Sequence, residues 1–330
     1  MKRFFICAAV AIVALASCSK TEVVNTSAPE EIGFKAVTGV MTKGVQTTAS
    51  FTQDMGVLAY NTTDLTEYFE NAQFEKAATT VDVTTVDPET GDESTVAVTT
   101  WNGTTAKYWP IDSELDFVVY SPYQATGDPA TVVVTNTAES KKLTVAVADN
   151  NKTSLADQTD YMYGAEYYAG HDKEEAFVRV NFKHALSWIT VNFTGNANVT
   201  IVSAVLDDTA QDGTYTVQYL PEVDPENSEI TWVPGDADND LTLKPTTATA
   251  LSGNALSTDY MVVPTAASSI TIKYNIGGMT GRDLTKIIDL PGTWTAGTHY
   301  TYNVNIGANE IKFSTSVTDW GTSSTSVEIQ

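Results

Sequence analysis

Four residues near the start carry the clearest chemistry. Leu15-Ala16-Ser17-Cys18 sets an apolar residue and two small residues before a cysteine, the pattern at which a bacterial lipoprotein signal ends. Lys2 and Arg3 supply a positive start, and Phe4 to Leu15 is an apolar run. That run is short of the roughly 20 residues a membrane-spanning helix needs, so it reads as a removable signal. Residues 1–17 are therefore expected to leave, with Cys18 becoming a lipidated N-terminus on the outer membrane. Cys7 lies in the signal, so the mature chain would hold no disulfide and no thiol nucleophile.

Other chemistry is thin. His171, His184 and His299 lie far apart without HxH or HExxH spacing, which argues against a zinc site. His184, between Phe182 and Leu186, reads as a buried, hydrogen-bonded structural histidine. Asp236-Ala237-Asp238-Asn239-Asp240 starts like a calcium loop, but Leu241 and Thr247 stand where Gly and Glu are required, so a solvated acidic turn is expected. Carboxylate pairs such as Asp207-Asp208 and Glu174-Glu175 are unremarkable in a chain with 41 acidic residues. A glycosidase pair must also face across a cleft. No G-x-S-x-G elbow or phosphate loop is present. The reading is a non-enzyme without cofactor or metal. A formal net charge of −23 excludes nucleic acid as a partner and keeps an exported protein soluble. The six tryptophans read mostly as core, and Tyr161, Tyr163, Tyr167 and Tyr168 as a cluster whose exposure would be informative.

The elements that must carry these residues are strands. Thr, Val and Tyr suit a half-buried pleated surface, and short alternating runs recur between Gly, Asn, Asp and Pro. Residues 18–30 are polar and unpatterned, a tether. Ile32–Val40 alternates, with Ile32, Phe34, Ala36 and Val40 on one face. Thr42-Lys43-Gly44-Val45 then reads as exposed chain. One series of runs extends from Met55–Tyr60 to Phe177–Phe182, and Pro88–Glu93 is a hairpin tip within it. A second extends from Trp188–Phe193 to the C-terminal Thr325–Gln330. Leu65–Phe74 reads as a short helical turn. Two sets of strands at about ten-residue spacing predict two β-sandwiches, residues 31–184 and 185–330.

Several stretches together resemble a family. They are Glu31-Ile32-Gly33-Phe34-Lys35-Ala36 followed by Thr42-Lys43-Gly44; Tyr108-Trp109-Pro110 with Phe117–Pro122; Phe182–Ser187; Trp294–Tyr302; and Val317-Thr318-Asp319-Trp320. In that order, behind a lipidation motif, they resemble the fimbrillins, the type V pilins of Bacteroidales, and most closely the Mfa-like branch. The resemblance implies an all-β chain of two tandem transthyretin-like β-sandwich domains. It implies a structural subunit of an adhesive surface fimbria, exported as a lipoprotein and polymerised with other fimbrial subunits. A protease cuts after the first strand, and a strand from another subunit fills the groove. Carried onto this chain, Lys43 and Gly44 flank the cut, Ile32, Phe34, Ala36 and Val40 form the displaced strand, and Val327 and Ile329 face out of the donor strand. Lys43 departs from the arginine common at such cuts, so a plain surface lysine stays open, as does a C-terminal strand that completes its own domain. The alternative is a monomeric surface lipoprotein that binds host or dietary glycans or proteins.

Overall fold

The computed structural model describes residues 30–38, 52–86, 93–111, 113–125, 132–137, 141–148, 150, 155–170, 177–195, 198–219, 228–235, 239–244, 248–251, 256–265, 269–277, 283–307, 311–320 and 325–327. Apart from one 3-10 turn at Leu155–Asp157, every regular element among them is a strand. The chain is all-β, as its composition predicts.

Seven strands close into a ring. Going round it, Gly33–Thr38 is followed by Val178–His184, Met162–Ala169, Leu115–Ser121, Met55–Asn61, Glu67–Lys76 and Trp101–Gly103, which returns to Gly33–Thr38. Leu115–Ser121 is buried at every position. Its two faces feed different cores. Leu115, Phe117 and Val119 point into the ring, while Val118 and Tyr120 point outward against a second layer. A strand covered on both sides has no need of polar alternation.

That second layer is a four-stranded sheet in the order Glu229–Pro234, Gly213–Tyr219, Lys141–Val147, Val133–Asn136. Lys141–Val147 pairs with Gly213–Tyr219 over seven residues, so strands from either side of residue 184 share one sheet. The core beneath mixes Leu143 and Val145 with Tyr215, Val217, Met261 and Trp320. The remaining strands form two sheets, ordered Leu256–Val262, Ser187–Gly195, Thr298–Ile306, Ile311–Asp319, Thr325–Val327 and Asn239–Lys244, Val199–Thr209, Ser269–Ile276, Leu284–Asp289. Ile189, Val191, Phe193, Ile201, Ile272 and Val304 fill the space between them, a β-sandwich. A separate hairpin, Val81–Val86 with Glu93–Val98, flanks the predicted tip; residues 87–92 of that tip lie outside the described set.

One expectation is overturned. Residues 65–74 are not a helical turn; Glu67–Lys76 is a strand paired with Met55–Asn61. Two register shifts in that pairing break the period-two alternation a strand shows in sequence, while Phe69 and Phe74 still reach the core.

Gly56 illustrates the tightness of the ring. A Cβ there would stand 2.1 Å from the Tyr120 ring, whose hydroxyl donates to Asn71 Oδ1 at 2.8 Å. The ring cannot retreat without giving up that bond. Gly56→Ala is expected to destabilise the fold by about 1–3 kcal/mol, an overpacking cost measurable by chemical denaturation.

Candidate functional site

The first strand has an unusual place. Gly33–Thr38 runs parallel to Val178–His184, with Phe34 opposite Val178 and Thr38 opposite Phe182. On its other side it is antiparallel to Trp101–Gly103, through Gly33↔Asn102 and Phe34↔Trp101. The contact continues before the strand: Ile32 N–H donates to Lys107 O at 2.7 Å, and Trp109 N–H donates to Glu30 O at 3.0 Å. Val178–His184 and Trp101–Gly103 meet only through this strand in the ring order. The N-terminal segment is thus the stave that closes the ring, inserted between elements far away in sequence.

Its side chains are the plug. Ile32 and Phe34 are fully buried and Ala36 nearly so, while Lys35 on the other face is half-buried. The Phe34 ring meets Phe74 edge-on at 4.9 Å and Phe117 at 5.1 Å. Gly33 is demanded by the approach of Phe177, whose ring lies 2.7 Å from where a Cβ would stand. Burying Ile32 and Phe34 contributes about 1.5–3 kcal/mol each. Removing the strand would leave two unpaired strand edges flanking a slot floored by Phe74, Phe117 and Val180, a surface that demands another strand.

The structure thus places Ile32, Phe34 and Ala36 together on the ring interior. Val40, Lys43 and Gly44, and likewise Cys18, lie outside the described residues. At the other terminus, Thr325–Val327 pairs with Thr315–Val317 at the edge of a C-terminal sheet; Ile329 lies outside the described residues.

His184 and His299 are the histidines among the described residues; His171 lies outside them. His184 is buried as expected, with Nδ1 3.0 Å from Asp160 Oδ1 and its ring stacked 3.9 Å from Trp320. A cavity of about 430 Å³ beside it is lined in part by Tyr163, Lys183, Asp319 and Trp320. His299 stacks on Trp188 at 3.9 Å, and its Nε2 is 2.7 Å from Thr190 Oγ1. Burial pushes the His299 pKa down, against the pull of Asp259. The Thr190 hydroxyl also bonds Asp259. A carboxylate only accepts, so the hydroxyl donates to Asp259 and the imidazole donates to the hydroxyl. The imidazole therefore holds no lone pair toward that hydroxyl, and the Asp–Thr–His chain lacks the geometry of an activated nucleophile. Among the described residues no group of three or more His, Cys, Asp or Glu is gathered to hold a metal. The incipient calcium motif lies partly outside the described residues, and Asn239 and Asp240 begin a strand. Trp101, Trp294 and Trp320 are buried, as is Tyr167.

Comparisons with known proteins bear on this geometry. Fimbrium subunit Fim1C of Phocaeicola vulgatus is 25% identical over 191 residues, covering 54% of this chain and 48% of that protein. The match thus spans about half the length of that relative. Among solved structures, a candidate cell adhesion protein of Bacteroides uniformis shares the fold at a TM-score of 0.54, with 18% identity over 88% of this chain and 98% of the other. A second, from Bacteroides ovatus, aligns at 0.51 with 16% identity over 90% and 99%. A family signature described as fimbrillin-like covers residues 55–320, and the chain belongs to that family.

Proposed function

We propose that this chain is a structural subunit of a cell-surface fimbria, exported as a lipoprotein through Cys18 and assembled by strand exchange. Cleavage between Lys43 and Gly44 releases the first strand, and a strand from another subunit takes its place. The observation that carries this reading is the closing position of Gly33–Thr38, which precedes the other six ring strands in the chain, so its removal opens the ring and leaves those six on one continuous chain. Two further facts support it. The family signature begins at Met55, beyond both the first strand and Lys43. The described part of the C-terminal segment is held by three residue pairs on one ladder, at the edge of its sheet. Val327 and Ile329 would then contribute the alternate side chains that set register in the acceptor groove. The two units, residues 31–184 and 185–330, would be tandem transthyretin-like sandwiches, with the hairpin built from Gly213–Tyr219 and Glu229–Pro234 laid across from the second onto the first.

The N-terminus of the surface form tests this directly. Mass spectrometry of shaved fimbriae should find chains that begin at Gly44, and Lys43→Ala should abolish that species and fibre assembly together. Assembled Lys43→Ala fibres would overturn cleavage-gated exchange. A surface form that still carries lipidated Cys18 and never polymerises would instead favour a monomeric binding lipoprotein.

A further inference from the structure

Lys141 is the one lysine among the described residues that is buried, at 1% exposure. It opens the strand Lys141–Val147, whose buried positions alternate Lys141, Leu143, Val145 and Val147. The other three buried positions on its own strand are thus apolar. Asp116, 4% exposed, occupies the equivalent position on Leu115–Ser121, facing the same core from the opposite layer. Lys141 Nζ lies 2.7 Å from Asp116 Oδ2. The ammonium also sits 4.9 Å from the centre of the Tyr167 ring, which meets Tyr219 edge-on. Lys141 is itself the register partner of Tyr219. The two strands belong to different sheets and share no ladder.

We propose that Lys141 and Asp116 condense to an intramolecular isopeptide bond that staples the ring to the four-stranded sheet. Condensation requires the change from ion pair to neutral amine and acid, within a buried enclosure beside the Tyr167 ring. The existing hydrogen bond is the path for that change: one proton passes from the Lys141 ammonium to the Asp116 carboxylate. An Nζ–Oδ2 contact of this length puts Nζ about 3–3.5 Å from Asp116 Cγ, the range of a near-attack geometry. The Nζ lone pair then forms the N–Cγ bond. The Cγ–hydroxyl bond breaks, the hydroxyl takes a second proton from nitrogen, and one water departs. No oxidant, metal or co-reactant enters the balance. The product replaces two desolvated ionisable groups with a neutral amide, which removes the cost of keeping an ion pair in a core. The inference does not depend on the assembly reading, since the bond would form within one folded chain.

Peptide mapping of the purified full chain, unfolded and digested with trypsin, tests it. Asp116 and Lys141 fall on one tryptic segment, because no Lys or Arg lies between Lys107 and Lys141, so the expected result is no cleavage after Lys141 and a looped peptide Tyr108–Lys142 lighter by one water than its sequence mass. Lys141→Arg keeps the positive charge but should restore cleavage at position 141 and a linear peptide from Tyr108 at full sequence mass, and Asp116→Ala should do the same. Because the decisive observation is made on the unsubstituted chain, misfolding of either variant does not blur it. Cleavage after Lys141 with Tyr108–Lys141 at full sequence mass would overturn the proposal and leave a buried ion pair.

Discussion

Phe34→Ala is expected to destabilise the precursor by about 3–5 kcal/mol while leaving assembled fimbriae unchanged. The first half follows from packing. Phe34 is fully buried, touches Phe74 and Phe117 edge-on, and sits on the strand that closes the ring. Truncating it removes an aromatic from a site that cannot collapse, because Trp101 and Val178 are held at fixed register on either side. The second half follows from the proposed strand exchange: a residue that has left the molecule cannot influence the assembled state. Chemical denaturation of the precursor, set beside denaturant-induced dissociation of fibres from the same variant, separates the two states. Equal losses in both would mean that the first strand stays in place, and displacement would have to be abandoned. An unaffected precursor would contradict the buried position itself.

The second large effect is expected at Lys141. Replacing it with Ala leaves the Asp116 carboxyl buried without its cation and takes the ammonium from the Tyr167 ring. Breaking one side of a buried pair typically costs about 3–5 kcal/mol, because the remaining charge has lost its partner but not its desolvation. Substituting both, as Lys141→Met with Asp116→Leu, should recover the electrostatic part of that loss, since two apolar side chains fit this layer without a buried charge, but not the part that comes from the missing covalent staple. Urea denaturation of the single and double variants reads the coupling as a double-mutant cycle. Additive losses would show that the two groups do not act as a pair.

Much of this architecture is legible in the residues. The alternation of Ile32, Phe34 and Ala36 marks a strand with one buried face, because side chains two apart must share a face of a pleated backbone. The runs at Leu115, Trp188, Val199 and His299 all become strands, since β-branched and aromatic residues in short segments bounded by turns have few other ways to bury themselves. His184 between Phe182 and Leu186 similarly announces a buried imidazole. Glu67–Lys76 was hidden because irregular pairing spoils the period on which a strand is recognised. Trp101–Gly103 was hidden for a different reason: three residues are too few to show any period at all.

The local pattern by itself determined that the chain is all-β and that its first run buries one face, because each of these depends on neighbours within a few residues. Only the tertiary structure decided which strands adjoin. Nothing local says that Gly33–Thr38 lies parallel to Val178–His184 and closes a ring against Trp101–Gly103. Nor could any window of sequence place Lys141 against Asp116, or lay Gly213–Tyr219 beside Lys141–Val147. Those partners are separated by long stretches of chain. Their choice rests on the summed burial of two faces and the matching of ladders, quantities that exist only once the whole chain has folded.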